Sequence, residues 1–91
     1  MHFVYVLYSF KFDRFYVGMT KDIEQRLSEH NSKRNTSTKA FVPWEVVHTE
    51  EYNTQAEARA REKYLKSAAG RRWRKNNIRP RGATEYPPDP N

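Results

Sequence analysis

The sequence predicts a small α/β fold of the α+β type, a three-stranded and mainly antiparallel sheet flanked by helices, in the order β-β-α-β-α with a short final helix. Three observations lead to it. HFVYVLY, FYVG and WEVVHTEEY are strand-like runs, separated by polar or helix-patterned stretches. The first two runs are joined only by the polar segment SFKFDR, which suits a hairpin. Thr54-Gln-Ala-Glu57 is a capping box placed directly before a long helical pattern.

The first run, residues 2–8, carries apolar side chains on both faces, as expected of a central strand covered by other elements. Asp13 is the turn signal in the connection that follows, and FYVG at 15–18 is a second short strand ending on Gly18. Thr20 can cap a helix from Lys21 to about His30, with Asp22 and Glu24 in its first turn and a stop at Asn31. Ile23 and Leu27 form its apolar stripe, with His30 beside Ile23 and Arg26 on the edge. Residues 31–43 form a polar loop whose length suggests a functional role. A strand at 44–52 and a helix opened by Thr54 follow, the latter running to Gly70 as a C′ residue. A short basic helix is expected at 71–76. The expected boundaries are one domain over residues 1–79 and a flexible, proline-rich tail over 80–91.

Composition narrows the possible functions. With no cysteine, disulfides, thiolate metal sites and thiol nucleophiles are excluded. Mean hydropathy is −1.09, but two Trp, six Tyr and five Phe supply core material. The longest apolar run, FVYVLY, is far short of the roughly 20 residues of a membrane span, and no leader pattern is visible. A cytoplasmic protein that does not enter a membrane is the expectation. The net charge of +6 is unevenly placed: residues 71–81 hold six basic and no acidic side chains. Arg71, Arg72, Arg74 and Lys75 around Trp73 suit a polyanion such as nucleic acid, unless the segment is merely a solvated basic stretch.

One residue in the second helix is out of place. Ala58, Leu65 and Ala69 fall within about 40° of one another on a helical wheel, and Glu62 lies inside that stripe. An inward carboxylate needs a partner: a metal ion, a buried Arg, or the core's rim. Tyr5, Tyr16, Arg26 and His30, each taken alone, read as packing or surface residues as readily as functional ones. Gly18 fits either a strand end or a close approach by a ligand.

Taken together, Phe3-Val4-Tyr5, Tyr16-Val17-Gly18, the helix IEQRLSEHN with Arg26 and His30, and the inward Glu62 form an ordered set. The set resembles the GIY-YIG nuclease family, specifically small stand-alone proteins similar to the nuclease domain of the excinuclease C subunit. The resemblance covers about residues 2–77. It departs from the family pattern at Phe3, where the first motif has glycine, and at Val4, usually isoleucine. A second His found in the loop of some members is absent, leaving Lys39 as the nearest basic candidate. The downstream family Asn falls at Asn77 or Asn76, with spacing in favour of Asn77.

The resemblance implies a metal-dependent endonuclease acting on DNA, in repair or recombination. Tyr5, Tyr16, Arg26, His30 and Glu62 would form the catalytic set, with Glu62 the ligand of Mg²⁺ or Mn²⁺. A tyrosine phenolate would take the water's proton; Tyr5 is favoured for this role and Tyr16 as its partner. Gly18, Lys39, Arg71, Arg72, Arg74, Lys75 and Asn77 would contact nucleic acid. The main alternative is a catalytically weak nucleic-acid-binding module; a protein adaptor using Trp73 and the proline-rich end is the third reading.

Overall fold

The computed structural model describes residues 1–78, so the expected tail at 80–91 lies outside the described residues. Two strands, β1 (His2–Ser9) and β2 (Arg14–Thr20), form the hairpin and lead to helix α1 (Ile23–Asn31). A 3₁₀ turn (Lys39–Phe41), strand β3 (Glu45–Tyr52), helix α2 (Gln55–Lys66) and helix α3 (Ala68–Asn77) complete the order. The sheet order is β2-β1-β3, antiparallel throughout, so the apolar first run is the central strand. Among the described residues, no helix is long and apolar enough to cross a membrane.

The alternation of β1 splits the core in two. Val4 and Val6 face one side, where they pack with Val17, Ala58, Leu65 and Ile78 under α2 and α3. Tyr5 and Leu7 face the other side and pack with Trp44, Tyr16, Leu27 and Phe41. A central strand buried on both faces explains why its sequence shows no polar alternation. At the hairpin tip, Asp13 takes a left-handed φ of 53° and accepts a 2.8 Å hydrogen bond from Tyr8.

Several boundaries differ from the sequence expectation. β2 does not stop at Gly18 but continues to Thr20, because pairing with β1 persists to Phe3. The cap of α1 is Asp22, whose side chain accepts from the Gln25 amide at 3.1 Å; Thr20 instead accepts from the Asp22 amide at 3.1 Å. The Thr54–Glu57 capping box forms as read. Gly70 does not end α2, which terminates at Ser67 three residues earlier. Ser67 then caps α3 by accepting from the Gly70 amide at 3.1 Å, which places Gly70 in the first turn of α3. Ala69 consequently leaves the α2 stripe and is exposed.

Two polar ties fix the helices and loop on the sheet. The Arg61 guanidinium donates to both Glu50 oxygens, at 2.9 and 3.1 Å, and lies 4.7 Å from the Trp73 ring centre. Burial alone would raise the Glu50 carboxyl, but hydrogen bonds from Arg61, His48 and Tyr52 hold it down at about 2. On the opposite face, Asn31 clamps the start of β3 by accepting from the Trp44 amide at 2.6 Å and donating to the Trp44 carbonyl at 3.1 Å.

Gly70 sits where α3 crosses α2, and a β-carbon there would overlap the Tyr64 carbonyl oxygen and the Leu65 backbone. Gly70→Ala should therefore lower stability by about 1–3 kcal/mol in urea unfolding, outweighing a helix-propensity gain of about 1 kcal/mol. A more stable variant would contradict this packing.

Candidate active site

The sheet's β2 edge is where the candidate residues meet. Tyr5 and Gly18 are direct cross-strand partners, and Tyr16 lies two residues along β2 on the same face. The Tyr5 ring lies across Gly18: a β-carbon on residue 18 would run into the Tyr5 hydroxyl and Cζ. Gly18 is thus required by the tyrosine opposite it, a reason more direct than the turn or ligand approach that its sequence position suggested. Tyr16 stacks at a tilt, its ring centre 6.3 Å from that of Tyr5 and 4.8 Å from that of His30.

His30, the last apolar-stripe position of α1, is 1% exposed. Its Nε2 lies 3.1 Å from the Tyr5 hydroxyl and its Nδ1 2.8 Å from Thr38 Oγ1. The tautomer assigned from this network accepts from Tyr5 at Nε2 and donates from Nδ1 to Thr38, whose hydroxyl is 3.5 Å from the Asn35 carbonyl. Burial, reinforced by the charge of Arg26, pushes the His30 imidazolium below its ordinary range. Burial and Tyr16 push the Tyr5 phenol up to about 12, with Glu62 adding to the shift and Arg26 opposing it.

A cleft of about 400 Å³ opens over these groups, lined by Tyr5, Tyr16, Gly18, Met19 and Arg26 on one wall. The other wall is α2, contributing Arg59, Glu62, Lys63 and Lys66. Glu62 has no buried Arg as partner: its side chain is 15% exposed and pairs with the exposed Lys66 at 3.0 Å and the exposed Arg59 at 3.5 Å. Arg26 is half-exposed and ion-paired with Glu29 at 3.0 Å.

The cleft thus gathers Tyr5, Tyr16, Gly18, Arg26 and Glu62, with His30 behind Tyr5. Apart from Gly18, the expected nucleic-acid contacts fall elsewhere. Lys39 is exposed on the 3₁₀ turn, and Arg71, Arg72, Lys75 and Asn77 are exposed on α3. None of these five lines the cleft. Arg74 is 8% exposed, donates to the Leu65 carbonyl at 3.1 Å and lies over the Phe15 ring, so it ties α3 to the core. Asn77 donates to the Trp73 carbonyl at 2.8 Å. Sequence reading missed Arg59, Lys63 and Lys66, although the i−3 and i+4 spacings put Arg59 and Lys66 on Glu62's side of the helix. It also missed Thr38, which nothing separates from the other hydroxyl residues of its loop.

Among the described residues, no three His, Cys, Asp or Glu side chains converge as a metal cage. A single carboxylate beside an open cleft can hold a hard divalent cation that keeps several of its waters.

The three-stranded antiparallel sheet in the order β-β-α-β-α-α is consistent with a GIY-YIG catalytic domain. The family model for that domain matches residues 1–77, and the chain belongs to this nuclease-type family. Its relatives include UPF0213 proteins of Natronomonas pharaonis (37% identical over 72% of this chain and 78% of the relative) and Haloquadratum walsbyi (34%, 72% and 74%). A UPF0213 protein of Staphylococcus epidermidis is 36% identical over 72% of this chain and 80% of the relative. No solved structure gives a significant match.

Two outcomes are expected. Gly18→Ala should force the Tyr5 ring from its position and cost about 1–3 kcal/mol, read by urea unfolding with the near-ultraviolet tyrosine signal. Because His30 takes a proton less readily in the folded chain, the unfolded chain binds more protons below pH of about 6.5. Stability should therefore fall as pH drops from 7.5 to 5, and His30→Gln should flatten that fall in a melting series. An equally steep fall in His30→Gln would assign the acid sensitivity to other groups.

Proposed function

We propose that the chain is a metal-dependent endonuclease that hydrolyses DNA phosphodiester bonds. The observation that carries this reading is the single cleft in which Tyr5, Tyr16 and Arg26 face Glu62 across the β2 edge. Family membership supports nuclease-type chemistry; DNA as the substrate, in cytoplasmic repair or recombination, is what the motif resemblance to the excinuclease C nuclease domain implies.

Each side chain has a role that its surroundings support. Arg26 presents a planar fork of donors to the scissile phosphate. Tyr5, as phenolate, takes the proton of the attacking water, and Tyr16 contacts the phosphate or the Tyr5 oxygen. His30 is a positioning residue: with Thr38 behind it, it fixes the Tyr5 hydroxyl and offers it either an acceptor or, in the other tautomer, a donor to the phenolate. Glu62 would hold Mg²⁺ or Mn²⁺.

Magnitudes explain why a cation belongs in the reaction. A phenol at about 12 needs about 5–7 kcal/mol of further positive field to ionise near neutral pH, and Arg26 already contributes to the value of 12. Two unit charges 4 Å apart interact by about 4 kcal/mol at the effective dielectric near a protein surface, so a divalent ion held by Glu62 would supply positive charge of the required size.

Tyr5→Phe and Glu62→Gln should each reduce cleavage by at least about 10²-fold, measured on single-stranded, duplex and branched DNA with Mg²⁺ or Mn²⁺. In the wild type kcat/KM should rise with pH between 7 and 9, since ionised Tyr5 is the scarce form on the acid side of its pKa. If neither metal supports cleavage of any substrate, or both variants keep full activity, the proposal is wrong. Salt-sensitive binding without cleavage would point to a binding module instead.

A further inference from the structure

Glu62, the carboxylate assigned to the metal, already has two partners in the cleft. Lys66 Nζ donates to Oε2 at 3.0 Å, and Arg59 Nε lies 3.5 Å from Oε1, so each oxygen faces one cation. The two cations are 51% and 55% exposed, whereas Glu62 is 15% exposed. Lys63 lines the same cleft from the same helix but forms no ion pair with Glu62.

A metal ion on Glu62 must take an oxygen that now faces Lys66 or Arg59, and its charge repels both. Pairs between exposed, long side chains are weak, so these cations can leave the carboxylate at little cost. A phosphodiester in the cleft offers them a stronger, charge-assisted acceptor. We infer that Arg59 and Lys66 are exchangeable partners, holding the Glu62 carboxylate when no metal is bound and passing to substrate phosphate when a divalent cation takes Glu62. The inference rests on the nuclease reading above, and it adds Arg59 and Lys66 as phosphate-binding residues. Metal and nucleic acid then bind with positive linkage, and each must strengthen the other by the same factor.

The test measures Mn²⁺ binding by the spin-resonance signal of the free ion, with and without a short DNA oligonucleotide. The full chain carries Tyr5→Phe to prevent turnover, and binding by the oligonucleotide alone is subtracted. DNA should tighten Mn²⁺ binding on the order of fivefold or more. Adding Lys66→Met should tighten Mn²⁺ binding without DNA, weaken DNA binding, and bring the linkage towards one; Arg59→Met should do the same. Lys63→Met removes the same charge from the same wall and should leave the linkage as in the parent. That control separates partner exchange from a general change in field. The inference is overturned if Glu62-dependent Mn²⁺ binding is indifferent to DNA, or if Lys63→Met reduces the linkage as much as Lys66→Met. If Glu62→Gln leaves Mn²⁺ binding unchanged, the metal site of the nuclease reading falls as well, and that outcome is distinct from the other two.

Discussion

The Tyr5 ring lying across Gly18 is the constraint on which the site depends. Tyr5 belongs to the central strand, so its backbone is paired on both sides and cannot shift locally. Without a side chain at 18, the ring covers the edge strand and its hydroxyl reaches the cleft while the residue as a whole is only 2% exposed. A buried ring with a polar end at an opening is an environment that perturbs a phenol strongly, and the value of about 12 is the result. His30 then needs only to meet a hydroxyl whose position the sheet has already set.

The other wall is positioned by ties remote from the chemistry. Glu62 follows Arg61 on α2, and Arg61 is locked to Glu50 on β3 by two hydrogen bonds and to Trp73 on α3 by its guanidinium face. That part-buried Glu–Arg pair sets the rotation of α2 about its axis, so it also sets the direction in which Glu62 leaves the helix. On the tyrosine side, the Asn31–Trp44 clamp and the Trp44 indole donating to the Thr38 carbonyl at 3.0 Å hold the loop that supports His30. That loop's contribution to the packing is a buried threonine, Thr38, behind His30, while Lys39 is exposed on the 3₁₀ turn.

Much of the fold was legible because it rests on local rules. Strand composition, the Asp13 turn and the Thr54–Glu57 box each act over a few residues. The errors arose where tertiary pairing outcompetes local preference. Gly18 looked like a strand end because glycine is poor strand material, and only the ring across the sheet shows why it is there. Gly70 looked like a helix stop, but Ser67 breaks the helix first by capping the next one. At the site, the tyrosines, Arg26, His30 and Glu62 were readable as an ordered set. Arg74 was not, because a basic residue in a basic run gives no sign of which one turns inward to a carbonyl.

The charge balance of the cleft links these features. Four cationic side chains, Arg26, Arg59, Lys63 and Lys66, surround one carboxylate. Such a site repels a free metal ion and attracts a polyanion, so the field favours phosphate over metal in the empty protein. Yet phosphate brings negative charge towards a phenol that is already hard to ionise, and so opposes formation of the base. Only the joint presence of phosphate and a divalent cation both satisfies the cationic wall and leaves positive field for Tyr5. On the proposed nuclease reading, a cleft with one carboxylate and four cations therefore has an electrostatic reason to ionise Tyr5 only when substrate and metal are both in place.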